Sequence, residues 1–367
     1  MDSSTEPGIF SCQSLTPFIK SAILRLPYGG YSQSIFFRCE RMGVRFLTKL
    51  MFYEKTNPEL YGTERPRKYT HQNDAEISIL GVLREKILDP KVSPCIVRME
   101  SFQVCKNLLN ILTPEQYKRY SQKETSHTTK DLIYRIFCEK VDQCNRGLSH
   151  NKYAFVALEP CSESFTEYLK TVHEHRVELV AFKTLLFQII YTLYAIRQVF
   201  PLFTHGDFHT DNILMKYDNR FELDVFNPKF LLFKTNKGHF LVPYFGYICK
   251  IIDFGFSAIP ELNIISDIME DQHMMYHREG ITDISFLLSH IYGEVESSKN
   301  INRKILSMLM DLDPSKCFEK RGIVADKNAK ALTVDNMLDN KLWDIYRNKP
   351  YTKNMIYETY DCTSGRH

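Results

Sequence analysis

The sequence predicts an α+β chain in two parts, a strand-rich first part with one main helix and a helix-rich second part. Three observations carry this reading. Before about residue 160, short apolar runs rich in Phe, Ile and Val alternate with loops, as in Ser34–Arg38, Arg45–Phe52 and Tyr153–Leu158. Such runs read as strands. Among them, Asn73–Ile87 places Ile77, Leu80, Leu83 and Ile87 at helical spacing. After about residue 162, helical periods dominate in Ser164–Val172, Val177–Gln198 and Thr282–Tyr292.

Of the 367 residues, 44% are hydrophobic and 25% charged. That is enough apolar content for a sizeable core in one large domain or two smaller ones. A formal net charge of +3 is too weak to argue for nucleic acid or a membrane surface. The 10 cysteines are scattered, none in a C-x-x-C pair, which points to reduced thiols and an intracellular setting. Met1–Pro7 is polar and acidic and lacks the apolar core of a signal peptide. No apolar run approaches the roughly 20 residues of a membrane helix. Leu185–Ile196, interrupted by Gln188 and Thr192, is expected as a buried core helix. Thr113–Asp131 and Asp218–Gly246 read as insertions, expected on the surface and mobile.

The chemistry is concentrated in two strings. His205-Gly206-Asp207-Phe208-His209-Thr210-Asp211-Asn212, closed by Ile213-Leu214, is an H-x-D-x-x-x-x-N pattern ending in an apolar strand. Phosphoryl transfer needs a positioned acceptor hydroxyl and cations to spread the developing charge. Asp207 can orient that hydroxyl or accept its proton. The Asn212 amide oxygen can bind a hard cation without adding another full charge, and His205 would brace the loop from inside. Downstream, Lys250-Ile251-Ile252-Asp253-Phe254-Gly255 is an apolar strand ending in Asp-Phe-Gly. Asp253 can project a hard oxygen ligand to magnesium, and Gly255 permits a sharp turn.

Together and in this order, the two strings resemble the protein-kinase superfamily. The resemblance extends upstream. Lys49, inside the apolar strand Arg45–Met51, stands where that fold keeps a phosphate-gripping lysine. Glu76, at the start of an apolar helix face, stands as its partner in preference to Glu85. Tyr28-Gly29-Gly30-Tyr31-Ser32 occupies the place of the glycine-rich phosphate loop in a degenerate form, with Pro27 and Ser32 replacing glycines. Phe155–Cys161, followed by Ser164–Leu169, resembles the strand, hinge and helix where backbone groups near Glu159 to Cys161 would meet adenine. Asp283 matches the helix aspartate that anchors the catalytic loop, a position that a helix cap would also explain.

The resemblance implies a bilobal protein-kinase-like fold. An N-terminal extension covers 1–26, a strand-rich N-lobe 27–160 with a polar insert near 113–131, and a helical C-lobe 161–367 with an insert near 218–246. With few residues beyond Phe286, the last C-lobe helices are expected to be reduced or rearranged. ATP with Mg2+, or Mn2+ in its place, would lie between the lobes, and proteins would be the substrates. The Gly-Gly-Tyr loop, the long insert before Asp-Phe-Gly and the short segment from Gly255 to Asp283 are similar to those of the virion serine/threonine kinases of poxviruses and other large DNA viruses. That likeness implies activity in the host cytoplasm and packaging in particles.

Two departures qualify the acceptor. His209 stands where most serine/threonine kinases carry a lysine close to the transferring phosphate. No Ala-Pro-Glu ends the activation segment, since Ile259-Pro260-Glu261 lies too close to Gly255. The His-Gly-Asp string also resembles small-molecule kinases of the aminoglycoside and choline type. The degenerate glycine loop leaves a pseudokinase scaffold as a third reading, against which stands the full set of charged groups.

Overall fold

The computed structural model describes residues 12, 24–25, 34–41, 44–55, 70–121, 129–175, 179–224, 226–267, 283–297, 303–312 and 333–363. The chain is α+β and divides into two units, residues 1–77 with 98–160 and residues 78–97 with 161–367.

The first unit is built on an antiparallel sheet of β1 (Leu24–Arg25), β2 (Ser34–Arg41), β3 (Val44–Glu54), β4 (Met99–Lys106) and β5 (Ser149–Leu158), in the order β1-β2-β3-β5-β4. Residues 46–53 of β3 are all buried, as a strand covered on both faces requires. Side chains alternate between those faces. Phe46, Leu50 and Phe52 join Tyr153, Phe155 and Ala157 of β5 in one apolar cluster. Lys49 and Tyr53 lie on the other side, where α1 (Gln72–Leu83) supplies partners: the Tyr53 hydroxyl donates to Asp74 Oδ1 at 2.6 Å.

The insert at 113–131 departs from expectation. It contributes α2 (Pro114–Ser121) and the start of α3 (Thr129–Asn145), which close over the sheet rather than forming a loose surface excursion. Residues 122–128 lie outside the described set. Tyr120, Tyr134, Phe137 and Cys138 are buried in the β3–β5 cluster, and the Tyr120 and Tyr134 rings stack at 4.5 Å. An apolar stripe at helical spacing can hide in polar average composition.

The expectation of reduced thiols throughout is also corrected: Cys12 is bonded to Cys105 of β4, 93 residues away. Spacing could not show this pair, because only the sheet brings the two together. Cys95, Cys138, Cys144, Cys161, Cys249 and Cys362 are not in disulfides.

The second unit is organised around α5 (Leu179–Val199), which follows α4 (Phe165–His175). Residues 184–196 of α5 are all buried. The helix is longer than the apolar run legible in the sequence, and by length and composition it could cross a membrane. Here that apolar surface is covered by protein, as in a core helix.

A short antiparallel pair, β6 (Ile213–Tyr217) with β9 (Tyr247–Ile251), carries the two chemical strings at its ends. Between them lies the 218–246 insert. It forms the hairpin β7 (Phe230–Thr235) and β8 (Gly238–Pro243). The strand β10 (Ala258–Ile259) pairs with β11 (Ile264–Ile265). The helices α6 (Asp283–Ser297), α7 (Arg303–Leu312) and α8 (Val334–Leu338) follow. Finally β12 (Ile356–Asp361) returns to pair in parallel with β7. The partner that turns the insert into a sheet therefore comes from more than 100 residues downstream.

Aromatic rings fix this sheet to α5. Phe187 lies 5.0 Å from Phe240 and 5.3 Å from Trp343, and Tyr191 lies 4.5 Å from Phe233. Trp343 is fully buried, and its indole N–H donates to the Met337 carbonyl at 2.8 Å. Trp343→Ala should lower unfolding stability by about 3–5 kcal/mol, the usual cost of emptying a buried aromatic site. Denaturant titration followed by circular dichroism measures it.

Candidate active site

In the first unit, β3 carries Lys49 into a buried position between Phe36 of β2 and Val156 of β5 in register. A buried ammonium needs an anionic partner. Glu76, in the second turn of α1, supplies it: Lys49 Nζ donates to Oε1 at 2.7 Å and Oε2 at 2.8 Å. Both residues are nearly inaccessible, at 2% and 3% exposure. Glu85 is exposed and pairs with Lys86.

Glu159 directly follows β5 and is buried. Its carboxylate accepts the Arg98 N–H at 2.8 Å, and its own N–H donates to the Arg98 carbonyl at 2.9 Å. The Glu159 N–H is engaged within the first unit, and Pro160 has no N–H. Cys161 is buried in the second unit. Gly29 and Gly30 lie outside the described residues.

In the second unit the two chemical strings meet through backbone pairing. Ile213 is in register with Ile251, and the Ile252 N–H donates to the Asn212 carbonyl at 3.0 Å. Asn212 and Asp253 therefore emerge side by side from the same end of the β6–β9 pair. Asp253 adopts a left-handed conformation, φ 62°, which Asp tolerates better than most residues.

The His205–Asn212 loop is held from several directions. The Asp283 carboxylate, at the start of α6, accepts the N–H of His205 at 2.9 Å and of Gly206 at 3.1 Å. Ser257 Oγ donates to the His205 carbonyl at 2.8 Å, and Thr204 and Ala258 exchange backbone hydrogen bonds. The His205 ring is fully buried between Phe208 and Phe254. Its Nδ1 accepts the Asp207 N–H at 3.4 Å while Nε2 faces the Ile252 carbonyl at 3.0 Å. Both contacts are satisfied by the neutral ring with its proton on Nε2. Burial, the largest influence, lowers its pKa in the same sense.

Gly206 is a residue whose role the sequence reading left unassigned. Its φ is +81°, and an added Cβ would lie 2.2 Å from the Phe256 carbonyl oxygen, so only glycine fits. Gly255 sits at the centre of the tight 3-10 turn Phe254–Phe256, closed by the Ser257 N–H donating to the Phe254 carbonyl at 3.1 Å, and Asp253 just before it holds the left-handed conformation. Gly255 is buried, and its carbonyl accepts Ser266 Oγ at 2.6 Å. The signal for Gly206 was present in the sequence, as a glycine between two residues of assigned function.

This scaffold differentiates the two oxygens of Asp207. Oδ2 accepts the Asn212 amide N–H at 3.2 Å and faces His209 Nε2 at 3.5 Å. Oδ1 makes no hydrogen bond among the described residues and is the oxygen able to meet an acceptor hydroxyl. His209 Nδ1 accepts the Asp211 N–H at 3.3 Å. Burial opposes charge on His209, but the hydrogen bond and field of Asp207, with Asp211 and Asp253, outweigh it and raise its pKa. The accepted Asp211 N–H and the contact with Asp207 are both met by the ring with its proton on Nε2.

The donor set suits a hard divalent cation. Asn212 gives its amide N–H groups to the Asp207 carbonyl at 2.9 Å and to Asp207 Oδ2. That leaves its Oδ1 turned away from Asp207, at the end of the β6–β9 pair where Asp253 also emerges. Among the described residues no three His, Cys, Asp or Glu side chains converge on one point. One carboxylate with one amide oxygen matches a cation that takes its remaining ligands from water and phosphates.

Two outcomes follow from the charges. Glu76→Leu, which strands the Lys49 ammonium, should destabilise the chain by about 3–5 kcal/mol, and the double variant Lys49→Met/Glu76→Leu should recover most of it. Thermal melting of the two variants tests this. His209 binds its proton more tightly folded than unfolded. Its contribution to stability is therefore complete below the ordinary value of 6.5 and is lost as pH rises through the raised folded value. His209→Gln should thus cost more stability in mildly acidic than in alkaline buffer, as measured by denaturant titration across that range.

Residues 117–226, which include the His205–Asn212 string, match the ecdysteroid kinase-like family. Over 247 residues the chain is 25% identical to a protein of Acanthamoeba polyphaga mimivirus named as a putative serine/threonine-protein kinase, covering 61% of each. A second mimivirus protein of the same description is 35% identical over 83 residues, 22% of this chain and 17% of that relative. The chain thus spans about three-fifths of the length of the first relative and under a fifth of the second. The chain is similar to kinase-like proteins, and two of its relatives come from a large DNA virus.

Proposed function

We propose that the chain is an ATP-dependent phosphotransferase whose acceptor is a serine or threonine hydroxyl of a protein. The observation that carries this reading is the Asp207 carboxylate, with Oδ2 held by Asn212 and Oδ1 open to a hydroxyl proton. Lys49, braced by Glu76, grips the α and β phosphates. The adenine lies against the Glu159–Cys161 segment. Asn212 and Asp253 hold Mg2+, or Mn2+ in its place, which when bound spreads the phosphate charge. Asp207 Oδ1 takes the acceptor's proton as the acceptor oxygen bonds to the γ-phosphorus and the bond to the ADP oxygen breaks. His209, whose Nε2 faces Asp207, then offers a hydrogen-bond donor to the moving phosphoryl group.

A protein acceptor is supported by the names of the two mimivirus relatives, and the host cytoplasm and the virus particle are the compartments that go with it. A second reading is favoured by a specific observation. The family matched across the catalytic string is described by ecdysteroid kinases, and His209 replaces the usual lysine, so a small hydroxylated molecule is the other acceptor class.

Transfer of labelled γ-phosphate, with Mg2+, to casein, to a basic protein, to the chain itself and to an ecdysteroid separates the two. Protein labelling that falls about 10²–10⁴-fold in Asp207→Ala, with an unchanged melting temperature, is the expected result. Undiminished transfer by that variant would overturn the mechanism. Labelling of the ecdysteroid alone would move the acceptor to the second class.

A further inference from the structure

A second imidazole lies beside the proposed base, and nothing in the mechanism above uses it. His290 sits on α6, seven residues after Asp283, and Phe286 lies between them at helical spacing on the same side of the helix. The face of α6 that pins the catalytic loop through Asp283 thus continues into a pair of rings. The His290 ring lies 5.2 Å from that of His209, and 4.7 Å edge-to-face from that of Phe286. Phe286 also meets the His209 ring at 6.4 Å. The three rings form one wall next to Asp207, which His209 faces through Nε2 at 3.5 Å.

His290 is half-buried, and neither of its ring nitrogens hydrogen-bonds to any group among the described residues. Neither nitrogen is among the buried polar atoms that lack a partner, so both are open to a group arriving from solvent. Burial, then the neighbouring His209, lowers the pKa of His290 against the opposing pull of Asp207 and Asp211. A neutral imidazole presents one donor and one acceptor. That pattern matches an amide or a hydroxyl better than a carboxylate, which the nearby Asp207 and Asp211 would also repel.

We propose that His290 is an acceptor-binding residue, whose ring, backed by His209 and Phe286, hydrogen-bonds an uncharged polar group beside the hydroxyl to be phosphorylated. In a protein substrate that group is a peptide amide next to the reacting serine or threonine. The inference rests on the phosphotransferase reading and deepens it by naming what the site recognises beyond the hydroxyl.

The test is steady-state kinetics of wild type, His290→Ala and His290→Gln with Mg-ATP. Casein is the acceptor, or the ecdysteroid if that is what wild type labels. Loss of one neutral hydrogen bond should raise the acceptor KM of His290→Ala roughly five- to tenfold. The kcat at saturating acceptor and the KM for ATP should move much less. His290→Gln, which keeps a donor and an acceptor, should restore much of the lost affinity, and it serves as the test by itself if the alanine variant does not fold. An acceptor KM that stays put in both variants would overturn the proposal. So would a fall in kcat with KM unmoved, which would make His290 a support for His209 instead. Failure of the underlying reading would show separately: wild type itself would then transfer phosphate to no acceptor, and the His290 proposal would fall with it.

Discussion

The two hydrogen bonds from the Asp283 carboxylate to the N–H groups of His205 and Gly206 are the contact on which the rest of the second unit's site depends. They orient the backbone immediately before Asp207. Gly206 can follow only because it has no side chain to collide with Phe256. From there the order of the loop is forced: His205 packs inward, Asp207 projects outward, and Asn212 turns back to hold Asp207 before the chain enters β6. A carboxylate accepting two backbone N–H groups is a strong, charge-assisted anchor. It is placed at a helix N-terminus, where negative charge is also favoured.

The charged groups of the molecule sit in two environments that use them differently. Lys49 and Glu76 are nearly removed from water, so each is tolerable only because the other is present. Asp207, Asp211 and His209 keep partial access to solvent. There the concentration of carboxylates is moderated by a histidine that their own field helps to charge. A lysine would supply that charge unconditionally. A histidine makes it depend on the neighbouring carboxylates.

The architecture around α5 shows how a chain with a long insert remains well packed. The β7–β8 hairpin would be an exposed two-stranded ribbon by itself, and such ribbons are marginal in water. Pairing with β12 adds a third strand, and Phe187, Tyr191 and Trp343 bury one face of that sheet against the helix. The end of the chain is thus a structural part of the insert, not an appendage after the last helix.

Local order was legible in the sequence because it is written in short spacings. The strand alternation around Lys49, the helical period from Ile77 to Ile87, the His205–Asn212 string and the strand leading to Asp253 are patterns within a few residues. They were enough for the fold class and for most of the candidate site. What only the tertiary structure decided were pairings between distant positions: Cys12 with Cys105, β12 with β7, and His290 with His209. The apolar stripe of α2 and α3 and the role of Gly206 belong with these. The first shows its meaning only against the sheet it covers, and the second only against the Phe256 carbonyl. The physical reason is the same in each case. Propensity and spacing act along the chain, whereas burial, close approach and charge compensation depend on which remote segment the fold brings near.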